Sequence, residues 1–443
     1  MELPGSFLKA MQSLLGEEYP AFLESRSRPA VRGLRRNPLK CGEQLLRESL
    51  PFPIKPTPFS PLSFTFQAGE EGVGKLPAHH AGLFYVQEPS ACSAVTVLDP
   101  QPGERVLDLC AAPGGKSTQI AGLLEGRGLL WSNELVKGRA QILLSNVERL
   151  GVRNAVVSSC HPQRLCESLQ GFFDRVLVDA PCSGEGMFRR DPAAAAQWTP
   201  ESPAACAQRQ RAILDSAALA VKEGGVLVYS TCTFAKEENE DNVRWFLSAH
   251  PEFTLVPLEV SFGRPGLEGL PVRRIYPMDG GEGHFVAKFQ RMGENVSRGG
   301  RFDGFLSRRE EPEARALFEE LFVCPWPGNA ACFGDRLLLL PEGLPELSGL
   351  GVLRAGVELA HRKGKRWEPS HAAFQAARKG DCRQAADFPW DDSRLAAFLR
   401  GEEIDWDGKG YTAVCAGDVP LGFGKASGGR LKNHYPKGLR LLS

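Results

Sequence analysis

No Cys-x-x-Cys pair occurs in this chain, although it carries 12 cysteines in 443 residues. Their scatter argues against a zinc ribbon and against a disulfide framework. Nor is there an apolar run of the roughly 20 residues that cross a bilayer. The opening Met-Glu-Leu-Pro lacks the basic start and apolar stretch of a secretory signal. Excess charge is missing as well, since 53 Lys and Arg balance 53 Asp and Glu. These absences predict a cytoplasmic, reduced, multi-domain chain with no membrane segment and with thiols free for chemistry. One local absence points the other way. After Asp418 there is no acid, while Lys425, Arg430, Lys432, Lys437 and Arg440 supply five bases. With the second basic cluster His361–Trp367, this favours a polyanion-binding surface over a merely solvated face.

What is present is organised around Val106 to Thr118. A short apolar run, Arg105 to Cys110, reads as a buried parallel strand. It breaks into Cys110-Ala111-Ala112-Pro113-Gly114-Gly115-Lys116 and enters a helix. This is neither a P-loop nor the G-x-G-x-x-G dinucleotide fingerprint. It is still the geometry that sets a ligand against the free N–H groups of a helix start. Glu134 follows a second strand about 20 residues beyond Gly114, an offset that suits ribose hydroxyls. From 105 to 292 strands and helices alternate, which predicts an α/β, doubly wound, mainly parallel Rossmann-like sheet with ligands at the carboxyl ends of its strands.

The chain divides on composition. Residues 1–75 read as a small N-terminal module, opened by an amphipathic helix and then broken by prolines. Its Arg32, Arg35, Arg36 and Lys40 read as phosphate contacts or as surface charge. Residues 76–292 form the core, 293–302 a glycine-rich linker, 303–385 a small mixed domain, and 386–443 a compact β-rich ending. His79 and His80 invite a metal, but no third ligand stands at a sensible spacing, so no metal is expected.

Two further stretches each end a strand with a cysteine: Asp179-Ala-Pro-Cys182-Ser-Gly-Glu-Gly and Ser230-Thr-Cys232-Thr. Either cysteine alone suits a packed core. Two of them beside a nucleoside pocket suit one reaction, methylation of carbon 5 of a pyrimidine. Thiolate addition to C6 makes C5 nucleophilic towards a sulfonium methyl. A base then removes the C5 proton, and a carboxyl such as Asp179 stabilises charge at N3. Chemistry alone leaves open which cysteine attacks.

These three stretches, with Asn37–Lys40 and Tyr85–Glu88, resemble the Nop/Sun family of RNA cytosine-5 methyltransferases. The ending, Pro420–Lys425 and Leu431–Arg440, resembles the PUA-type RNA-binding region of its RsmF-like bacterial branch, which acts on small-subunit ribosomal RNA. The resemblance implies a class I S-adenosylmethionine-dependent methyltransferase core. It implies Cys232 as nucleophile and Cys182 as the residue assisting product release, whereas DNA cytosine-5 methyltransferases attack with the Pro-Cys cysteine. It implies that Cys110 to Lys116 hold the methionine end of S-adenosylmethionine, with Lys116 reaching the active centre. Glu134 would bind ribose, and Asp179 would border cofactor and base. The family often carries an acid after the third strand; this chain has Ser158-Ser-Cys-His161-Pro, so either His161 stands near that place or the contact is missing. Three other readings compete: a tRNA substrate, a non-catalytic RNA-binding assembly factor, and an amino-group methyltransferase. The last expects Asn/Asp-Pro-Pro-aromatic and has no use for Cys232. The target base must leave its stack, and loss of residues 386–443 is expected to weaken RNA binding while S-adenosylmethionine still binds.

Overall fold

The computed structural model describes residues 3–67, 72–294 and 297–441. Its centre is a ten-stranded sheet. Five strands run parallel, in the spatial order Val221–Thr231, Phe173–Asp179, Arg105–Asp108, Leu129–Asn133, Ala155–Ser158. Antiparallel strands extend both sides, His284–Arg291 beside Val221–Thr231 and Val352–Ala355 beside Ala155–Ser158. The inner stretches of the parallel strands, such as Val176–Val178 and Val226–Tyr229, are apolar because helices cover both faces. The helix Lys137–Arg149 shows the matching period, burying Ala140, Leu143, Leu144 and Val147. The helix Pro162–Ser168 was not foreseen. Seven residues hold too little periodicity, and the only cue was Pro162 at its first position behind a capping His161.

The segment after the linker is not self-contained. Its strand Val352–Ala355 completes the central sheet, and Arg354 reaches Glu148 of the core at 2.8 Å. Its other strands, Ala330–Phe333, Arg336–Leu339, Val357–Lys363 and Arg366–Pro369, make a separate four-stranded sheet. The basic cluster lies on the last hairpin of that sheet and is partly neutralised. His361 pairs directly with Glu368, Lys363 meets Glu368 at 3.0 Å, and the Arg362 guanidinium lies 4.5 Å from the centre of the Trp367 ring. Lys365 and Arg366 remain exposed. Lys363 is thus paired across the hairpin, while the exposed Arg362, stacked on Trp367, shares the hairpin surface with these two residues.

The N-terminal module does two separate jobs. Its helices Gly5–Leu15 and Tyr19–Ser27 contribute Phe7, Met11 and Phe22 to an aromatic cluster with Phe188, Phe234 and Tyr276. Phe188 and Phe234 belong to the two cysteine-bearing loops, so these helices clamp both. Its antiparallel sheet is ordered Ile54–Thr57, Ser60–Phe66, Gly33–Arg36, Phe84–Val86. Leu34, Phe64 and Phe66 share one core with Phe388, Leu395, Phe398 and Leu431 of the C-terminal five-stranded module. Removing 386–443 would strip this core open, so point changes probe the module better than truncation. Phe398 is fully buried in the shared core. Phe398→Ala should cost about 3 kcal/mol, read as a lowered denaturant midpoint.

Candidate active site

The strand Arg105–Asp108 is flanked by Leu129–Asn133 on one side and Phe173–Asp179 on the other. Chain direction around the sheet reverses here, which opens a crevice at the carboxyl ends. The loop from Cys110 enters that crevice, passes a cis Ala112–Pro113 bond, and turns at Gly114, whose φ of 113° excludes most side chains. The helix Gly115–Leu124 starts there. Lys116 Nζ meets Asp179 at 2.7 Å, and the other Asp179 oxygen accepts from Ser230 Oγ at 2.7 Å. Burial opposes charge on Lys116, but Asp179 outweighs it and holds the ammonium above its ordinary pKa. Beneath them the buried Asp108 accepts from Ser117 Oγ at 2.7 Å, and burial lifts its carboxyl to about 7. Glu134 is buried at the end of its strand, held by the Val136 N–H at 3.0 Å and by Arg139 at 3.2 Å. The exposed side chains of Leu135 and Val136 follow it. His161 is exposed and accepts from the Gln163 N–H at 3.3 Å, capping its helix.

Arg35 is not the surface cation or phosphate contact its sequence context suggested. It is 1% exposed and donates to Gln87 Oε1 at 2.9 Å, to Thr118 Oγ1 at 2.7 Å and to the Gly115 carbonyl. It therefore pins the start of the glycine-loop helix. Lys40 is also inside, bonded to the Gln375 carbonyl, and burial lowers its pKa to about 7. Arg36 donates to the Cys41 carbonyl at 2.7 Å.

Asp179 and the two cysteines converge because their strands are neighbours. Cys182 Sγ and Cys232 Sγ are 3.2 Å apart, and the Cys232 N–H points at Cys182 Sγ at 3.4 Å. The contact with Cys232, then burial, pushes the Cys182 thiol well above its ordinary pKa. Two acids missed by the sequence reading hold this geometry. Glu185, from the Cys182 loop, accepts from Thr233 Oγ1 at 2.9 Å and the Phe234 N–H at 3.0 Å. Glu238, beyond Cys232, accepts from the Ser183 N–H at 3.0 Å and from Ser183 Oγ at 2.5 Å. Each loop's acid thus satisfies the other loop's donors, and Ser183 Oγ meets Thr233 Oγ1 at 2.8 Å between them. The loops also touch through backbone, with the Gly186 N–H donating to the Cys232 carbonyl at 2.9 Å. A side chain at Gly186 would strike that same carbonyl at 3.0 Å. The only sequence cue to the two acids was their closeness to the cysteines.

A parallel Rossmann-like sheet whose glycine-bearing loop and acidic strand end share one crevice defines an α/β fold that binds a nucleoside-bearing ligand, the class to which methyltransferase cores belong. Comparison with known proteins agrees. Family models match 16S rRNA methyltransferase RsmB/F over 95–290, the N-terminal domain of 16S rRNA methyltransferase RsmF over 3–89, the RsmF first C-terminal domain over 317–374 and the methyltransferase RsmF PUA domain over 385–441. Ribosomal RNA small subunit methyltransferase F of Cronobacter sakazakii is 32% identical, over 99% of this chain and 96% of that protein. The namesake from Aliivibrio salmonicida is 33% identical over 99% and 97%. A crystal structure of a methyltransferase homolog protein from Pyrococcus horikoshii superposes with TM-score 0.56 at 30% identity, covering 66% of this chain and 100% of that one. NSun6 from the same organism, crystallised with SFG, has TM-score 0.59 at 23% identity, over 66% of this chain and 99% of that one, a likeness of fold. The chain belongs to the RsmF family of 16S rRNA methyltransferases.

The brace has a pH signature. Burial raises the Glu238 carboxyl from 4.5 to about 7. A raised carboxyl favours folding below its unfolded pKa, and that contribution is lost as pH rises through the folded value. The stability of the unmutated protein relative to Glu238→Gln should therefore fall between pH 4.5 and about 7, measured by denaturant titration of both proteins across that range.

Proposed function

We propose that this protein transfers a methyl group to carbon 5 of a cytosine in small-subunit ribosomal RNA. The observation that carries the reading is the pair of thiols at 3.2 Å, beside the Lys116–Asp179 ion pair. An amino-group methyltransferase has no use for two thiols in contact. A non-catalytic RNA-binding factor has no need to keep them braced at a crevice.

The residues at the crevice fit S-adenosylmethionine. Glu134 offers a buried carboxylate for ribose hydroxyls, and the exposed Leu135 and Val136 offer an apolar surface for adenine. Cys110, Ala111, Ala112, Pro113, Gly114, Gly115 and Lys116 line the methionine side, with Asp179 opposite. His161, occupied in capping its own helix, is the least suited of the expected contacts. When bound, S-adenosylmethionine supplies an electrophilic methyl group.

The thiols are not equivalent, and this supports Cys232 as nucleophile. Cys182 is the thiol that burial and its neighbour keep protonated. Either sulfur can donate across the 3.2 Å contact; with the Cys182 S–H as donor, Cys232 is the sulfur free to attack, and thiolate is the attacking species. Cys232 bonds to C6 of the flipped cytosine. Asp179, oriented by Lys116 and Ser230, faces N3 and would accept from the N3–H formed as N3 takes up a proton during the addition. Once C5 carries the methyl, its proton leaves, the C5–C6 double bond re-forms and the C6–sulfur bond breaks. Cys182, in contact with the departing sulfur, assists that release: its S–H proton passes to the leaving Cys232 sulfur, and the Cys182 thiolate so formed, or a base it acts through, takes the C5 proton.

RNA is gripped away from the chemistry. Lys425 and Lys432 face each other across neighbouring strands of the C-terminal module and are both exposed, with Lys425 over the Tyr411 ring at 4.8 Å. A cationic and aromatic face of this kind suits backbone and unstacked bases. The small-subunit target follows from the relatives' names; a transfer RNA substrate would use the same thiols.

The test is a covalent trap. Cys182→Ser, incubated with small-subunit ribosomal RNA and labelled S-adenosylmethionine, should accumulate a protein–RNA band that survives denaturing electrophoresis, and Cys232→Ser should give none. The reverse pattern would exchange the two roles. No adduct with either, together with no methyl transfer by the unmutated protein, would leave the RNA-binding reading.

A further inference from the structure

One buried polar chain adjoins the cysteine-bearing loops and has no part in the chemistry above. Glu88, Ser90 and His284 are at most 4% exposed. Glu88 sits just before the turn Pro89–Cys92 and His284 opens the strand His284–Arg291. Glu88 accepts from the Ser90 N–H at 2.9 Å, the Ala91 N–H at 3.0 Å and the Glu282 N–H at 3.2 Å. Ser90 Oγ lies 2.5 Å from Glu88 Oε2 and 3.0 Å from His284 Nδ1.

The direction of these bonds follows from counting protons. Three N–H groups already aim at the Glu88 oxygens, an environment that favours carboxylate over acid even though burial raises its pKa. The single Ser90 hydroxyl proton therefore goes to Glu88, over the shorter contact. Ser90 Oγ is then an acceptor, and the proton between it and His284 belongs to Nδ1. Burial holds the ring neutral, with its pKa lowered to about 3. A neutral ring with Nδ1–H carries a lone pair on Nε2.

His284 is also close to the reacting groups. Lys116 and Asp179 are the charges that act on its ring. Its neighbours Gly283 and Phe285 contact Gly186 of the Cys182 loop and pair with Thr231, next to Cys232. In that crevice Lys116 is a donor and Asp179 is paired to it. Among the Watson–Crick edge groups of a cytosine, only the exocyclic amino group is a donor in the ground state; uracil carries an acceptor carbonyl there.

We propose that His284, held as the Nδ1–H tautomer by Ser90 and Glu88, accepts a hydrogen bond at Nε2 from the amino group of the flipped base and so selects cytosine over uracil. This rests on the cytosine reading above. Ser90 and Glu88 act through His284 and are positioning residues.

The test starts with the unmutated protein on small-subunit ribosomal RNA, followed by nucleoside analysis. Absence of 5-methylcytidine would remove the cytosine reading and this inference with it. With the modified position mapped, kcat/KM is compared on RNA carrying cytosine there and on RNA carrying pyrimidin-2-one, which lacks the amino group. His284→Phe should lower kcat/KM roughly 10- to 100-fold on the cytosine RNA and under about twofold on the pyrimidin-2-one RNA. Ser90→Ala, a smaller change, should show the same pattern with a loss of about fivefold, and stands in if His284→Phe does not fold. Equal losses on the two RNAs would make His284 a structural residue and overturn the proposal, while leaving 5-methylcytidine formation intact.

Discussion

Everything the crevice can do depends on two strand ends, 50 residues apart in sequence, being kept in van der Waals contact at sulfur. Adjacent parallel strands bring Cys182 and Cys232 near each other but do not lock the loops that carry them. Glu185 and Glu238 supply the lock. Each is a buried carboxyl group that accepts from the opposite loop as well as from a helix or turn beside it, Trp198 for Glu185 and Gln210 for Glu238. Separating the loops would strip both buried acids of their cross-loop donors, which costs more than losing a surface contact does. The brace is therefore stiff because both alternatives, closed with partners or open without, differ steeply in energy.

Such a site burdens the fold. Asp108, Glu88, Glu185 and Glu238 are all acids that burial pushes up. Their desolvation is offset by apolar burial elsewhere, including the aromatic cluster of Phe7, Phe22, Phe188 and Phe234 that lies against the two loops. Phe7 lies 5.0 Å from Phe188, and Phe22 lies 5.9 Å from Phe234. The first helices of the chain thus press on the residues just beyond each cysteine. They are part of the active-site scaffold as much as an appended module.

The legible features were those that repeat or cluster in sequence. Apolar runs marked the parallel strands, and glycine and proline marked the loops at their ends. The cysteines stood out because each closed a strand. What stayed hidden was pairing. Glu185 and Glu238 are single acids in loops, with no period to flag them. Arg35 lies in a visibly basic stretch, yet alternate residues of a strand face opposite ways, and its turn faces inward. The His361–Trp367 cluster looked cationic because sequence does not reveal that hairpin register sets Glu368 against His361. Val352–Ala355 was legible as a strand but not as an edge of the distant central sheet.

One short strand shows how the modules are joined. On Gly33–Arg36, Leu34 enters the core shared with Leu395, Phe398 and Leu431 of the C-terminal module. Its neighbour Arg35 points the other way and holds Gly115 and Thr118 at the mouth of the crevice. Two consecutive residues therefore tie the end of the chain to the helix beside the reacting groups. Neither contact is replaceable by flexible linkage, since one is a filled apolar core and the other a buried guanidinium with fixed acceptors. A surface of the C-terminal module and the thiols at the crevice are thereby held at a set separation. Under the proposed function, that separation would select which nucleotides can reach Cys232 while the rest of the RNA is held.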